Sequence, residues 1–223
     1  MTSEFCILNF AFKIVERKLQ YLMLDSGERR RAALTTLVLL VALTAASCQL
    51  LKKLGGSGQL DEANQLNRSA GEDIREIERI VQENKNREAE VTRALNTNDY
   101  DAAKKMMDDS VKAIDQGLEK GQSAADKFDK ASKLDVDATI KEYLSLRAQS
   151  VNKAIEAFKE LRRGIITLRD ATGSTGKAAT QKARNDIQVS SVNFDKLINE
   201  AERLERQADE IARRNPEKIK PGK

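Results

Sequence analysis

Residues 100–134 read YDAAKKMMDDSVKAIDQGLEKGQSAADKFDKASKL, and this stretch decides the fold. One heptad row along it holds Tyr100, Met107, Ile114, Gly121 and Phe128. The neighbouring row holds Ala103, Ser110, Gly117, Ala124 and Ala131. Apolar or small residues at steps of three and four, with charged residues between them, are the pattern of an amphipathic helix. Large side chains follow one row and small ones the other, so a neighbouring helix can approach closely. Asn98 and Asp99, just ahead of Tyr100, supply an N-cap.

Three more runs flank this one. The first, about Leu60 to Leu95, carries Leu60, Ala63, Leu66, Ala70, Ile74, Ile77, Val81, Val91 and Leu95. Its stripe weakens from Asn84 to Glu88, where a hinge, a partner contact or a wet bundle end would fit equally. The third run is capped by Asp135 or Asp137 and reaches about Ala171. Its rows are Leu144, Val151, Phe158, Ile165 and Ile140, Ala154, Leu161, Leu168, with Arg147 interrupting the second. Thr172-Gly173-Ser174-Thr175-Gly176 is a turn. The fourth run, about Lys177 to Arg213, shows Ile187, Phe194, Ala201, Ala208 and Ala183, Ser190, Leu197, Leu204, Ile211. Pro216 stops it.

Runs of ~35 residues are each ~50 Å long as helices. Short turns force them to fold back antiparallel. The sequence therefore predicts an all-α, elongated up-down-up-down four-helix bundle over residues 59–213, with a basic, disordered tail over 214–223. A three-helix bundle with the first helix loosely attached, or an antiparallel coiled coil completed by a second chain, are the alternatives. The second would make the protein a homo-oligomer.

Composition agrees. Of 223 residues, 33% are charged and 4% aromatic, and Trp and His are absent. The 40% hydrophobic fraction, rich in Ala, supports a thin core that suits a rod better than a globule. The chain is net acidic from 48 to 150 and net basic from 151 onward, which favours the halves docking on each other. Solvated helix faces account for these charges without a nucleic-acid partner.

The segment from Arg29 to Cys48 gives an address. Arg29, Arg30 and Arg31 precede an uncharged run from Ala32 to Ala46, and small residues lead to Cys48. This is the basic, apolar, small-residue order of a secretory signal. The run is ~15 residues, short of the ~20 that span a bilayer. Translation from Met23 gives an ordinary basic leader start, whereas Met1 puts an unusually long stretch ahead of the apolar run.

Ala45-Ala46-Ser47-Cys48 resembles the lipobox of bacterial lipoproteins. The resemblance implies cleavage between Ser47 and Cys48 and a lipid on the Cys48 thiol. Residues 1–47 are then signal peptide, and 48–58 a lipidated Cys with a flexible tether ending in Gly55-Gly56-Ser57-Gly58. Ala45 departs from the pattern, where Leu is usual. Cleavage after Ala46 by ordinary signal peptidase and an uncleaved signal anchor stay open. Each buried acyl CH₂ contributes ~0.8 kcal/mol, so several chains on one Cys hold firmly. Leu50, Leu51 and Leu54 with Lys52 and Lys53 suit the headgroup region or a plain spacer. Gln49 in place of Asp leans toward the outer membrane. The expected location is the cell envelope, facing the periplasm or exterior.

Little points to catalysis. Neutral-pH chemistry usually recruits His, Cys or a shifted carboxylate. Cys6 and Cys48 both precede the helices, so no disulfide staples the bundle. Asp108-Asp109 and Asp99 with Asp101 lie at spacings that point apart on a helix. Gly173-Ser174-Thr175-Gly176-Lys177 lacks the glycine spacing and preceding strand of a phosphate loop. Gly117 and Gly121 match the spacing of membrane helix dimers, but Glu119 and Lys120 between them assign that spacing to packing in water. The expectation is a protein with no catalytic residues, metal or cofactor, lipid-anchored and presenting its bundle to an envelope protein. The alternative is a carrier holding a small apolar ligand among Met107, Ile114, Leu118 and Phe128.

Overall fold

A computed structural model describes residues 57–84, 86–174 and 176–219. Helices make up 89% of these, with no strand among the described residues. In chain order they are α1 (Ser57–Asn84), α2 (Arg87–Asn96), α3 (Tyr100–Lys133), α4 (Ala138–Ala171) and α5 (Lys177–Arg214). Together they form an all-α bundle in which α1 and α2 stand as one broken rod beside three continuous ones.

The boundaries follow from local chemistry. Asn98 takes a positive φ of 58°, a conformation that Asn tolerates better than most residues. Its N–H donates to the Leu95 carbonyl and that of Asp99 to the Ala94 carbonyl, at 3.1 and 2.8 Å, closing α2 in a Schellman motif. Asp99 then starts the next helix, its carboxylate accepting from the Ala102 N–H at 3.1 Å. Of the two acids that could cap α4, Asp137 does so, accepting from the Thr139 N–H at 2.8 Å. Gly173, at φ 80°, turns the chain beyond α4 and lies against the Tyr100 ring, where an added Cβ would sit 3.6 Å from it.

Three boundaries differ from expectation. The first run is interrupted between Asn84 and Arg87, where its stripe weakens. The Asn84 side chain donates to the Ile80 carbonyl at 2.7 Å, a local bond that competes with helix continuation. Helix also begins at Ser57, so the last two residues assigned to the tether belong to α1. The tail is not disordered from 214. Arg214 ends α5, residues 215–219 fold back in turns, and Ile219 is buried in the core. The Lys218 and Ile219 amides both donate to the Asn215 carbonyl, which fixes this hook.

Close backbone packing joins α1 and α2 to α3, α3 to α4, and α4 to α5, whereas α1 and α5 make at most marginal backbone approach. The core has two centres. Near the start of α1, Ala63, Ala70, Ala124, Phe128, Ala131, Leu144 and Ala208 bury one another with Ile219. Near the opposite end, Val91, Ala94, Ala103, Met107, Leu168 and Ile187 form the second. The expected Ala-rich, close-packed character holds. At Gly121 a Cβ would come within 3.1 Å of Ile155 Cγ1, so the glycine lets α4 approach α3.

Candidate functional site

The residues assigned to cleavage and lipidation, Ser47 and Cys48, lie outside the described residues, as do the leader and most of the tether. Within the bundle, the unusual chemistry is a polar layer between α4 and α5. Arg147, the residue that interrupts an apolar row, is 1% exposed. Its Nη1 donates to Glu205 Oε1 on α5, and Glu205 is itself 5% exposed. The guanidinium stacks 5.2 Å from the centre of the Phe128 ring, so α3 supplies a cation–π face. One turn along α4, Ser150 Oγ donates to the Ala201 carbonyl at 2.9 Å.

Burial of the guanidinium is the strongest influence and opposes its charge, but Glu205, Tyr143 and Asp209 together prevail and push the Arg147 pKa up. Arg147 is therefore a permanent cation in the core. Burial raises the pKa of Asp209, one turn beyond Glu205, against the pull of Arg147 and Arg213. It also raises that of the Tyr143 phenol, one turn before Arg147. Arg147 Nε and Nη2 have no hydrogen-bond partner among the described residues, and neither has Asn67 Oδ1 on α1. The layer can hold charge in a fixed place. It offers no paired carboxylates around an open space.

A second polar contact ties α1 to α3. Asp73, 8% exposed, accepts from Ser123 Oγ at 2.7 Å and pairs with Lys127 Nζ at 2.5 Å. Burial pulls its pKa upward, but the hydrogen bonds from Lys127 and Ser123 prevail and hold the carboxyl below its ordinary value.

The adjacent acids separate, as the helix dictates. Asp108 binds Arg169 Nη1 at 2.6 Å, while Asp109 faces Lys112 at 3.5 Å on its own helix. Arg162 grips Asp115 through Nε and Nη2 at 2.6 and 3.1 Å, a bidentate clasp between α4 and α3. The four residues considered for an apolar ligand do not come together. Met107 and Phe128 fill different core centres, and Ile114 and Leu118 between them are only partly buried.

Among the described residues no group of His, Cys, Asp and Glu could hold a metal ion, and no helix is long and apolar enough to cross a membrane. Among the described residues, Val81 on α1 and Val189 and Val192 on α5 are large hydrophobic side chains that stand exposed. The α5 pair lies in an uncharged strip with Asn185, Gln188 and Asn193. Comparison of the chain with known protein families, with curated proteins and with solved structures finds no match.

Sequence reasoning registered Arg147 only as a flaw in a stripe. The available signal was a charged residue at a core position of a long helix, which demands a buried counter-charge. Glu205 lies outside the apolar rows of the last helix, so nothing in its own position marked it as the partner.

Proposed function

We propose that the chain is an exported lipoprotein, anchored through Cys48, whose noncatalytic helical bundle serves as a scaffold or protein-interaction module in the cell envelope. The observation that carries this reading is the order Arg29–Arg31, uncharged Ala32–Ala46, Ser47, Cys48. The architecture supports it. A rod of ~50 Å, attached at one end through Ser57, reaches well beyond the headgroups of a bilayer. Its buried charges are committed to holding helices together, which leaves its exposed faces to meet another protein.

The test is intact-mass analysis of the protein from membrane fractions, followed by in-cell crosslinking. Expected are a polypeptide beginning at Cys48 with fatty acids on that residue, loss of membrane attachment in Cys48→Ser, and crosslinks to an envelope protein. A cytosolic chain that keeps residues 1–47 and bears no fatty acid overturns the reading.

A further inference from the structure

We infer that the Arg147–Glu205 pair is the register lock of the bundle, holding α5 against α4 at one axial position among several that the apolar rows would accept.

A single antiparallel alignment runs along these two helices. Moving up α4 from Lys153 through Phe158 and Glu160 to Arg163 means moving down α5 from Glu200 through Phe194 and Asn193 to Ser190. Apolar burial is non-directional and enforces this alignment weakly. The rows Ile187, Phe194, Ala201, Ala208 and Ala183, Ser190, Leu197, Leu204, Ile211 repeat every seven residues. A slide of one heptad, ~10 Å, therefore sets small or apolar residues on apolar ones again. Alanines discriminate little by shape, having almost nothing to interdigitate.

The polar residues do discriminate. After a heptad slide in either direction, Arg147 faces Ile198 or Ala212, and a buried guanidinium loses its carboxylate. A one-turn slide in one direction brings Ala201 opposite it and leaves Glu205 a turn away, at the present place of Asp209, so the direct contact is lost. In the other direction Asp209 arrives, but Glu205 then occupies the site of Ala201 and Ser191 that of Ile187, both buried positions. Every slide also breaks the edge-to-face contact of Phe158 with Phe194, whose ring centres are 6.1 Å apart. A buried polar contact that fixes register is the best-attested use of such pairs.

That aromatic contact provides the readout. The full-length chain, labelled on phenylalanine, is examined by nuclear magnetic resonance for the Phe158–Phe194 ring cross-peak. The variant carrying both Arg147→Met and Glu205→Leu should stay helical and melt at or above the wild-type temperature. Its phenylalanine signals should multiply, and the cross-peak should fall at least twofold. A single signal set with the cross-peak intact overturns the lock. Should that variant not fold, the exchanged pair, Arg147→Glu with Glu205→Arg, decides the matter. Regaining the wild-type cross-peak, where each exchange alone loses it, supports the lock. Failure to regain it overturns the lock.

Discussion

Lys218 Nζ lies 2.9 Å from Asp137 Oδ2, so the hook after the last helix is tied to the residue that caps α4. Asp137 thus has two tasks at one end of the bundle: it accepts from the Thr139 N–H and receives the Lys218 ammonium.

Those contacts predict an acid transition. The hydrogen bonds from Lys218 and Thr139 hold the Asp137 carboxyl down at about 2, against an unfolded value of 3.8. A depressed carboxylate stabilises the fold above the unfolded value, and that contribution fades as pH falls toward the folded one. Asp137→Ala should cost ~1 kcal/mol at neutral pH through the lost cap. Lys218→Met, which removes only an exposed ion pair, should cost ~0.5 kcal/mol or less. Melting curves between pH 5 and 2 check this: Asp137→Ala should show a smaller stability loss over that range than wild type.

Gly117 and Gly121 occupy successive turns of one helix but should respond oppositely to alanine. Nothing lies within 4 Å of a Cβ at Gly117, so alanine there gains helix propensity without a clash. Gly117→Ala should stabilise by ~0.5–1 kcal/mol. At Gly121 the branched Ile155 side chain blocks the same atom, and Gly121→Ala should lower stability. Denaturant titration of the two variants measures the pattern, and equal responses at the two glycines would contradict the packing described.

Glu78 predicts the opposite pH dependence to Asp137. Partial burial on α1 pushes its carboxyl up to about 7, with Arg75 pulling the other way. The folded state then binds more protons than the unfolded chain, whose glutamate titrates near 4.5. Its favourable contribution is complete below that value and is lost as pH rises through about 7. The melting temperature should decline from pH 5 to 8, and Glu78→Gln should flatten the decline. An unchanged slope in Glu78→Gln would assign the titration elsewhere.

Most of the architecture was legible from the sequence because long helices of one polarity pattern have few ways to bury their stripes. The caps at Asp99 and Asp137 and the turn around Gly173 are local, and they were legible for that reason. The interruption at Asn84 left a weak stripe but no Pro or Gly to mark a break, since the competing bond is made by an Asn side chain that also occurs within helices. Ile219 was hidden among basic residues after Pro216, where a lone apolar side chain gives no periodicity. The partnership of Arg147 with Glu205 spans 58 residues and two helices, a separation at which sequence pattern carries no pairing information. Ser47 and Cys48 were read from a local motif, and they lie outside the described residues.

The uneven backbone support of α1 bears on how the bundle opens. Its close backbone neighbour is α3, to which Asp73 with Lys127 and Glu62 with Lys130 tie it, while Ala63 and Ala70 reach the core shared with Leu144 and Ala208. Lifting α1 away would uncover that alanine seam and leave Arg147 paired with Glu205 between α4 and α5.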